Sequence, residues 1–301
     1  MIPRIDLASL SVGDPQALAA MRTAATDVGF ATVHNTALSP ARVRAVIESY
    51  REFFKQPEDQ KASCDMALTG SNRGWGRAGA EQVDPDANPD YKQVFDCGVT
   101  LNDNDPRLAD PFYAANIWPD TPPDFADILQ GYYTDACAVA LDVLRGVAQA
   151  IGQPRDAFDV AFDAPMALLR GNFYPSRPAS AGAKDFGIAT HTDYGCLTLL
   201  ATDGSPGLEV RKRGGGWIPV SAPPGEFVIN FGEMMEFWSD GVVRATPHRV
   251  QGGMAERISV PLFFNPSRES NVAPQGSGKV MTAGEHLSKR YNETYVHLQK
   301  K

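Results

Sequence analysis

Arg257-Ile258-Ser259-Val260-Pro261-Leu262-Phe263-Phe264 is the stretch whose reading decides the fold. Its β-branched and aromatic content marks a strand, and side chains at i and i+2 of a strand share a face. Ile258, Val260, Leu262 and Phe264 therefore form one apolar face. Arg257, Ser259, Pro261 and Phe263 form the other. Working back along the chain, ALLRGNFY (167–174), CLTLLAT (196–202), GLEVRKR (207–213), EFVINFG (226–232) and RATPHRVQ (244–251) have strand lengths and strand composition. Short strands at such spacing indicate a barrel or sandwich. The basic run Arg211-Lys212-Arg213 precedes Gly214-Gly215-Gly216 and reads as a solvated hairpin tip.

Before this β region the pattern is mainly helical. Asp14-Pro15 reads as a cap and first turn, and Leu18, Met21, Ala25 and Val28 follow at helical spacing up to Gly29. FATVHN (30–35) is a short strand. Ser39-Pro40 opens a helix whose stripe of Val43, Val46, Ile47, Tyr50, Phe53 and Phe54 ends before Pro57. Residues 70–91 lack apolar periodicity and read as a long irregular loop. Pro122-Pro123 precede the longest helix, which ends near Gly152 and Pro154. A polar helix is expected at Gly284 to Leu298. The fold class expected is α+β with a mainly β core. With no repeat or flexible linker, one domain is expected over 1–301. Its parts are an N-terminal helix/strand region (1–100), helical support (101–160), a β catalytic core (165–267) and a C-terminal segment (268–301).

The chemistry gathers in the β region. His191 and Asp193, in IATHTDYG, share a strand face by alternation, and His248 in ATPHRV follows across several strands. Two imidazoles and a carboxylate are the facial ligand set of non-haem Fe(II), which leaves coordination positions open. His-x-Asp alone is weak, and a lone histidine is usually an ordinary polar side chain. The constellation carries the inference. Arg257 and Ser259 on one interior face suit a carboxylate, because a buried arginine is costly without an anion. The bland alternative is an internal salt bridge from Arg257 to Glu256 or Glu226. His34, His286 and His297 read as surface or capping residues, and Lys184 and Asp185 as solvated charges. Cys196 reads as a small buried thiol.

Bulk properties narrow the classes. The chain has 301 residues, 43% hydrophobic and 21% charged, with net charge −8. Nothing in that balance draws it toward nucleic acid or a membrane. Cys64, Cys97, Cys137 and Cys196 are far apart and form neither a disulfide framework nor a zinc ribbon. MIPRIDLASL has no signal-peptide pattern and no apolar run reaches membrane-spanning length. A cytoplasmic protein with a small-molecule substrate and no obligate protein partner is expected.

Taken together, these segments resemble the isopenicillin N synthase-like branch of the Fe(II)/2-oxoglutarate-dependent oxygenases, over nearly the whole chain. IPRIDLASL, GFATVHN and FFKQPEDQK resemble the family's N-terminal segments. NFYPSRP, HTDYGCLTLL, GLEV, W-IPV, NFGEMMEFWSDG, TPHRV and RISVPLFFNP follow in the family's order. The resemblance implies a double-stranded β-helix, or jelly roll, flanked by helices. It implies that His191, Asp193 and His248 ligate iron and that Arg257 and Ser259 hold the distal carboxylate of 2-oxoglutarate. Asn172 and Tyr174 match the pair that positions the cosubstrate. Dioxygen would then be consumed with release of succinate and CO2 as a small molecule is hydroxylated, desaturated or cyclised.

Two alternatives stay open at this level. One is an oxidase using Fe(II) and dioxygen without 2-oxoglutarate, since the nine-residue step from His248 to Arg257 also suits oxidase members. The other is a non-catalytic sensor that binds the metal or a 2-oxo acid. For the substrate, the candidates are Arg170, Phe95, Trp75 and Phe263, with the 70–95 loop and PSRPASAGAKDFG (175–187). Arg73 and Arg77 near Trp75 point to an acidic or carboxylate-bearing compound. The competing reading of that loop packs Trp75 on the barrel as a structural residue.

Overall fold

The computed structural model describes residues 1–81, 90–176, 187–251, 253 and 255–294. Twelve strands carry the architecture: β1 (Arg4–Asp6), β2 (Phe30–His34), β3 (Gly74–Gly76), β4 (Gln93–Gly98), β5 (Leu168–Tyr174), β6 (Ile188–His191), β7 (Leu197–Thr202), β8 (Leu208–Arg211), β9 (Trp217–Pro219), β10 (Phe227–Phe231), β11 (His248–Val250) and β12 (Arg257–Phe264). The helices are α1 (Leu7–Ser11), α2 (Pro15–Thr23), α3 (Pro40–Phe54), α4 (Glu58–Lys61), α5 (Phe125–Ala150), α6 (Glu233–Trp238) and α7 (Ala283–Thr294).

The starts of α2 and α3 follow from their caps. The Asp14 carboxylate accepts from the Gln16 and Ala17 amides, Ser39 Oγ accepts from Arg42 N, and a proline opens each helix.

The strands form two sheets. The larger runs β1-β2-β10-β7-β12-β5-β4-β3 and the smaller β6-β11-β8-β9. Only β1 and β2 pair in parallel; the other neighbours are antiparallel. The two sheets make a jelly roll flanked by helices. Alternation along β12 divides its side chains as anticipated. Ile258, Val260, Leu262 and Phe264 join the core shared with the helices. Arg257, Ser259, Pro261 and Phe263 line a cavity between the sheets. Strand β5 repeats the division, with Leu169 and Phe173 toward the helices and Arg170, Asn172 and Tyr174 toward the cavity.

Close packing on the helix side depends on Gly171. A Cβ there would lie 2.3 Å from the Tyr50 ring, so glycine lets α3 rest on β5. Around this contact Tyr50, Phe53, Phe95 and Phe125 pack ring against ring at centroid separations of 4.9 to 6.4 Å. Each such ring is fully buried and contributes roughly 1.5–3 kcal/mol. A second core of Phe30, Leu208, Val210, Val228 and Val250 closes the far end between the sheets.

Several expectations change. The 70–91 segment is not wholly irregular, because Gly74–Gly76 forms β3 against β4. Of RATPHRVQ only His248–Val250 is strand. The basic hairpin tip does connect β8 to β9, with Lys212 N bonded to Gly216 O. The last helix begins as expected and runs to Thr294. Most of PSRPASAGAKDFG (177–186, with Lys184 and Asp185) and His297 lie outside the described residues. No described helix is long and apolar enough to cross a membrane.

Candidate metal centre and substrate cavity

His191 ends β6 and His248 begins β11, and the antiparallel register places them directly across from each other. Their rings lie 4.3 Å apart. Asp193 Oδ1 is 3.7 Å from Nε2 of each histidine, and ligand atoms of all three residues lie within 4.8 Å of one another. The route to this geometry differs from the expected one. Asp193 is not on the strand with His191; it lies in the turn just beyond it. The histidines come from strands separated in sequence by four others, as expected, and these two strands are adjacent in the sheet. The turn is held where Asp193 O accepts from Glu233 N at 2.8 Å. Gly232 makes this approach possible, since a Cβ there would lie 2.3 Å from Gly195 O and 2.6 Å from Asp193 O.

Partners that the sequence did not reveal orient each donor. His191 Nδ1 is 2.8 Å from Ala189 O, and His248 Nδ1 is 3.2 Å from Thr246 O. Both contacts favour the Nδ1–H tautomer and leave Nε2 bare. Asp193 Oδ2 accepts from Thr198 Oγ1 and, at 2.7 Å, from Asn230 Nδ2. Oδ1 remains for a metal. Burial and then the neighbouring His191 push the His248 pKa down to about 4, which keeps its imidazole neutral. Burial raises the Asp193 pKa, but the two histidines outweigh it and hold the carboxyl well below its usual range. At His191 burial lowers the pKa, but the Asp193 carboxylate outweighs it and raises it. Two imidazole nitrogens and an ionised oxygen are the donor set that suits a divalent iron. The residues fit the ion.

Beside this cluster, Arg257 stands across from Tyr174 and Ser259 across from Asn172 in the β12–β5 ladder. The Arg257 guanidinium lies 5.0 Å from the centre of the Tyr174 ring. Asn172 Nδ2 reaches Ser259 Oγ at 3.5 Å. Arg257 is 5% exposed, yet among the described residues its Nε and Nη1 have no hydrogen-bond partner, nor has Asn172 Oδ1. The salt bridges considered for Arg257 do not form. Glu256 pairs with Lys55 and Arg51, and Glu226 pairs with Arg4. A buried arginine with unused donors next to a metal-ligand cluster has the chemistry to accept an acidic cosubstrate.

The cavity has a volume of about 120 Å³ and opens to solvent. Arg170 and Phe263 line it, whereas Phe95 and Trp75 do not. Both of the latter are fully buried elsewhere. Alternation along β4 explains Phe95. Its neighbour Asp96 faces Arg170 across the ladder, so Phe95 points into the helix-side aromatic cluster. Trp75 Nε1 donates to Gln93 Oε1 at 2.9 Å within the core. Arg73 is buried against the carbonyls of Asn72, Phe112 and Ala114, and Arg77 pairs with Asp65. Neither lines the cavity. Other lining residues had escaped notice: Glu81, Lys92, Asn230 and, from α7, Leu287. Asn230 was the most findable, being a polar residue amid the apolar strand EFVINFG.

Residues 165–266 match the family model of the 2OG-Fe(II) oxygenase superfamily, and residues 2–121 match the non-haem dioxygenase N-terminal model. Homoarginine-6-hydroxylase 2-ODD-233 of Oryza sativa subsp. japonica is 30% identical over 323 residues, covering 98% of each chain. The chain belongs to the 2OG-Fe(II) oxygenase superfamily. Solved structures agree with this. A full-length Neurospora crassa protein, solved in complex with alpha-KG, superposes on this oxygenase with a TM-score of 0.85 at 25% identity. That match covers 97% of this chain and 96% of the Neurospora chain. A 2OG-Fe(II) oxygenase family protein from Caulobacter crescentus gives 0.84 at 26% identity, over 97% and 99% of the two chains. The protein is an Fe(II)- and 2-oxoglutarate-dependent dioxygenase that oxidises a small molecule.

Proposed function

We propose that His191, Asp193 and His248 ligate the iron of this oxygenase and that Arg257 and Ser259 hold the distal carboxylate of 2-oxoglutarate. Asn172 and Tyr174 complete the cosubstrate wall, and Arg170 and Phe263 face the substrate. The observation that carries the reading is the pair of unpartnered Arg257 nitrogens opening on the same cavity as the three ligands.

Bound there, Fe(II) with 2-oxoglutarate and dioxygen supplies the oxidising power for C–H cleavage, with succinate and CO2 released. The protein's residues do the rest. Ala189 O and Thr246 O fix the rings of His191 and His248. Thr198 and Asn230 restrict Asp193 to one free oxygen, so that ligands occupy a single face. Arg257, by gripping one end of the diacid, presents the other end in one orientation. Ile188, Leu200, Leu208 and Val250 form an apolar lining that excludes water around the reacting centre.

Arg257→Ala tests the cosubstrate anchor. A charged hydrogen bond is worth roughly 1.5–3 kcal/mol, so the apparent KM for 2-oxoglutarate should rise by about 10- to 150-fold. Succinate release measured against 2-oxoglutarate concentration checks it, and an unchanged KM removes Arg257 from this role.

A further inference from the structure

Beside the cosubstrate wall, along the same face of β5, the cavity is lined by three ionised side chains, Glu81, Lys92 and Arg170. Behind them, Asp96 grips Arg170 through Nε–H···Oδ1 at 2.7 Å and Nη2–H···Oδ2 at 2.6 Å. Lys92 Nζ donates to Glu81 Oε2 at 2.6 Å and to Asp90 Oδ2 at 3.2 Å. Arg170 Nη1 donates to the same Glu81 Oε2 at 3.0 Å. Both cations are thus already engaged by carboxylates. The nearby Arg73 is directed to backbone carbonyls.

Glu81 differs from the rest of the group. It is 5% exposed, and among the described residues its Oε1 has no hydrogen-bond partner; Arg170 Nη1 approaches it to 2.9 Å as an ion pair without donating to it. Its backbone is fixed, because Asp90 N donates to Glu81 O at 2.9 Å. Burial raises its pKa, but Arg170 and Lys92 outweigh that and leave it at about 2, so the carboxylate is ionised. A buried carboxylate oxygen held by an ion pair alone, with no aligned hydrogen bond, keeps room for one more donor, and that donor can arrive through the cavity.

We propose that Glu81 is a specificity-determining residue whose Oε1 receives an N–H group of the substrate, making the substrate an N–H donor of the guanidinium, ammonium or amide type. A substrate carboxylate fits this wall poorly. It would meet the Glu81 carboxylate, and the two cations beside it are already engaged, Lys92 by Glu81 and Asp90 and Arg170 by Glu81 and Asp96. The expectation of an acidic substrate, drawn from arginines whose partners were not visible, is replaced. The inference rests on the cavity being the substrate chamber of the oxygenase.

The test measures succinate release by the full-length protein with Fe(II) and 2-oxoglutarate. L-arginine and agmatine serve as guanidinium probes and thymine as a neutral amide probe. Hexanoate and 1,3-dimethylthymine serve as controls without an N–H group. Stimulation confined to the N–H probes is expected, and comparing agmatine with thymine separates the charged source from the neutral one. Glu81→Gln should raise the KM for the stimulating probe at least about tenfold. Glu81→Asp, which keeps the charge facing Lys92 but withdraws it by one methylene, should raise it too and guards against misfolding of the first variant. Stimulation by a control, stimulation by none of the panel, or a probe KM within twofold of wild type in both variants overturns the assignment. Anaerobic calorimetry of 2-oxoglutarate binding with Fe(II) is a separate readout. Its failure would count against the cosubstrate reading, whatever the substrate panel does.

Discussion

Two neighbouring regions of one cavity handle charge in opposite ways. Around the metal centre, polar atoms are left incomplete: two Nε2 atoms face one Asp193 oxygen at 3.7 Å, beyond hydrogen-bond reach, and two Arg257 nitrogens have no hydrogen-bond partner among the described residues. Around Arg170, cations and carboxylates satisfy one another, and among the described residues of that group Glu81 Oε1 is left without an aligned hydrogen bond. Incomplete groups belong to ligands that come and go. Completed groups belong to the wall that shapes the space. Counting charges along the chain cannot separate the two, because Arg170 and Arg257 look alike until their partners are known.

Substitutions can break or sharpen that contrast. Asp193→Ala removes the anionic member of the ligand set and should abolish turnover without unfolding the protein. Succinate release and circular dichroism check both halves, and normal activity would end the metal assignment. Arg170→Met strands Asp96 as an uncompensated buried charge. It should lower unfolding stability by roughly 3–5 kcal/mol in a denaturant titration, whereas an unpaired ligand-binding arginine would show almost no loss. Asn230→Ala frees Asp193 Oδ2 and should weaken Fe(II) or Mn(II) binding by roughly 10- to 100-fold. Retained affinity would mean that Thr198 alone positions the carboxylate. The smallest effect is expected at Trp75→Phe. Loss of its bond to Gln93 should cost about 0.5–1.5 kcal/mol of stability, with the KM for 2-oxoglutarate within twofold of wild type. A large change in that KM would return Trp75 to the site.

Much of this was legible beforehand for an identifiable reason. Strand alternation is a local property, so the division of Arg257, Ser259 and Phe263 from Ile258 and Leu262 could be read residue by residue. The same rule assigned Arg170, Asn172 and Tyr174 to one face. It misled at Asp193, where the strand ends two residues earlier, and the ligand is placed by a turn packed on Gly232. It could have rejected Phe95 had the pairing of Asp96 with Arg170 been known.

The sequence by itself determined most strands of the β region, the two faces of β5 and β12, and the residue types able to hold iron and a carboxylate. Periodicity and side-chain chemistry travel with the chain. Only the tertiary structure decided which of those groups meet. The register of β6 on β11 put His191 against His248. The ladder of β4 on β5 neutralised Arg170, and the packing of the 70–81 segment buried Trp75 and brought Glu81 to the cavity. Those contacts join residues far apart in the chain. Pairwise burial and charge compensation select them, and no local pattern encodes either.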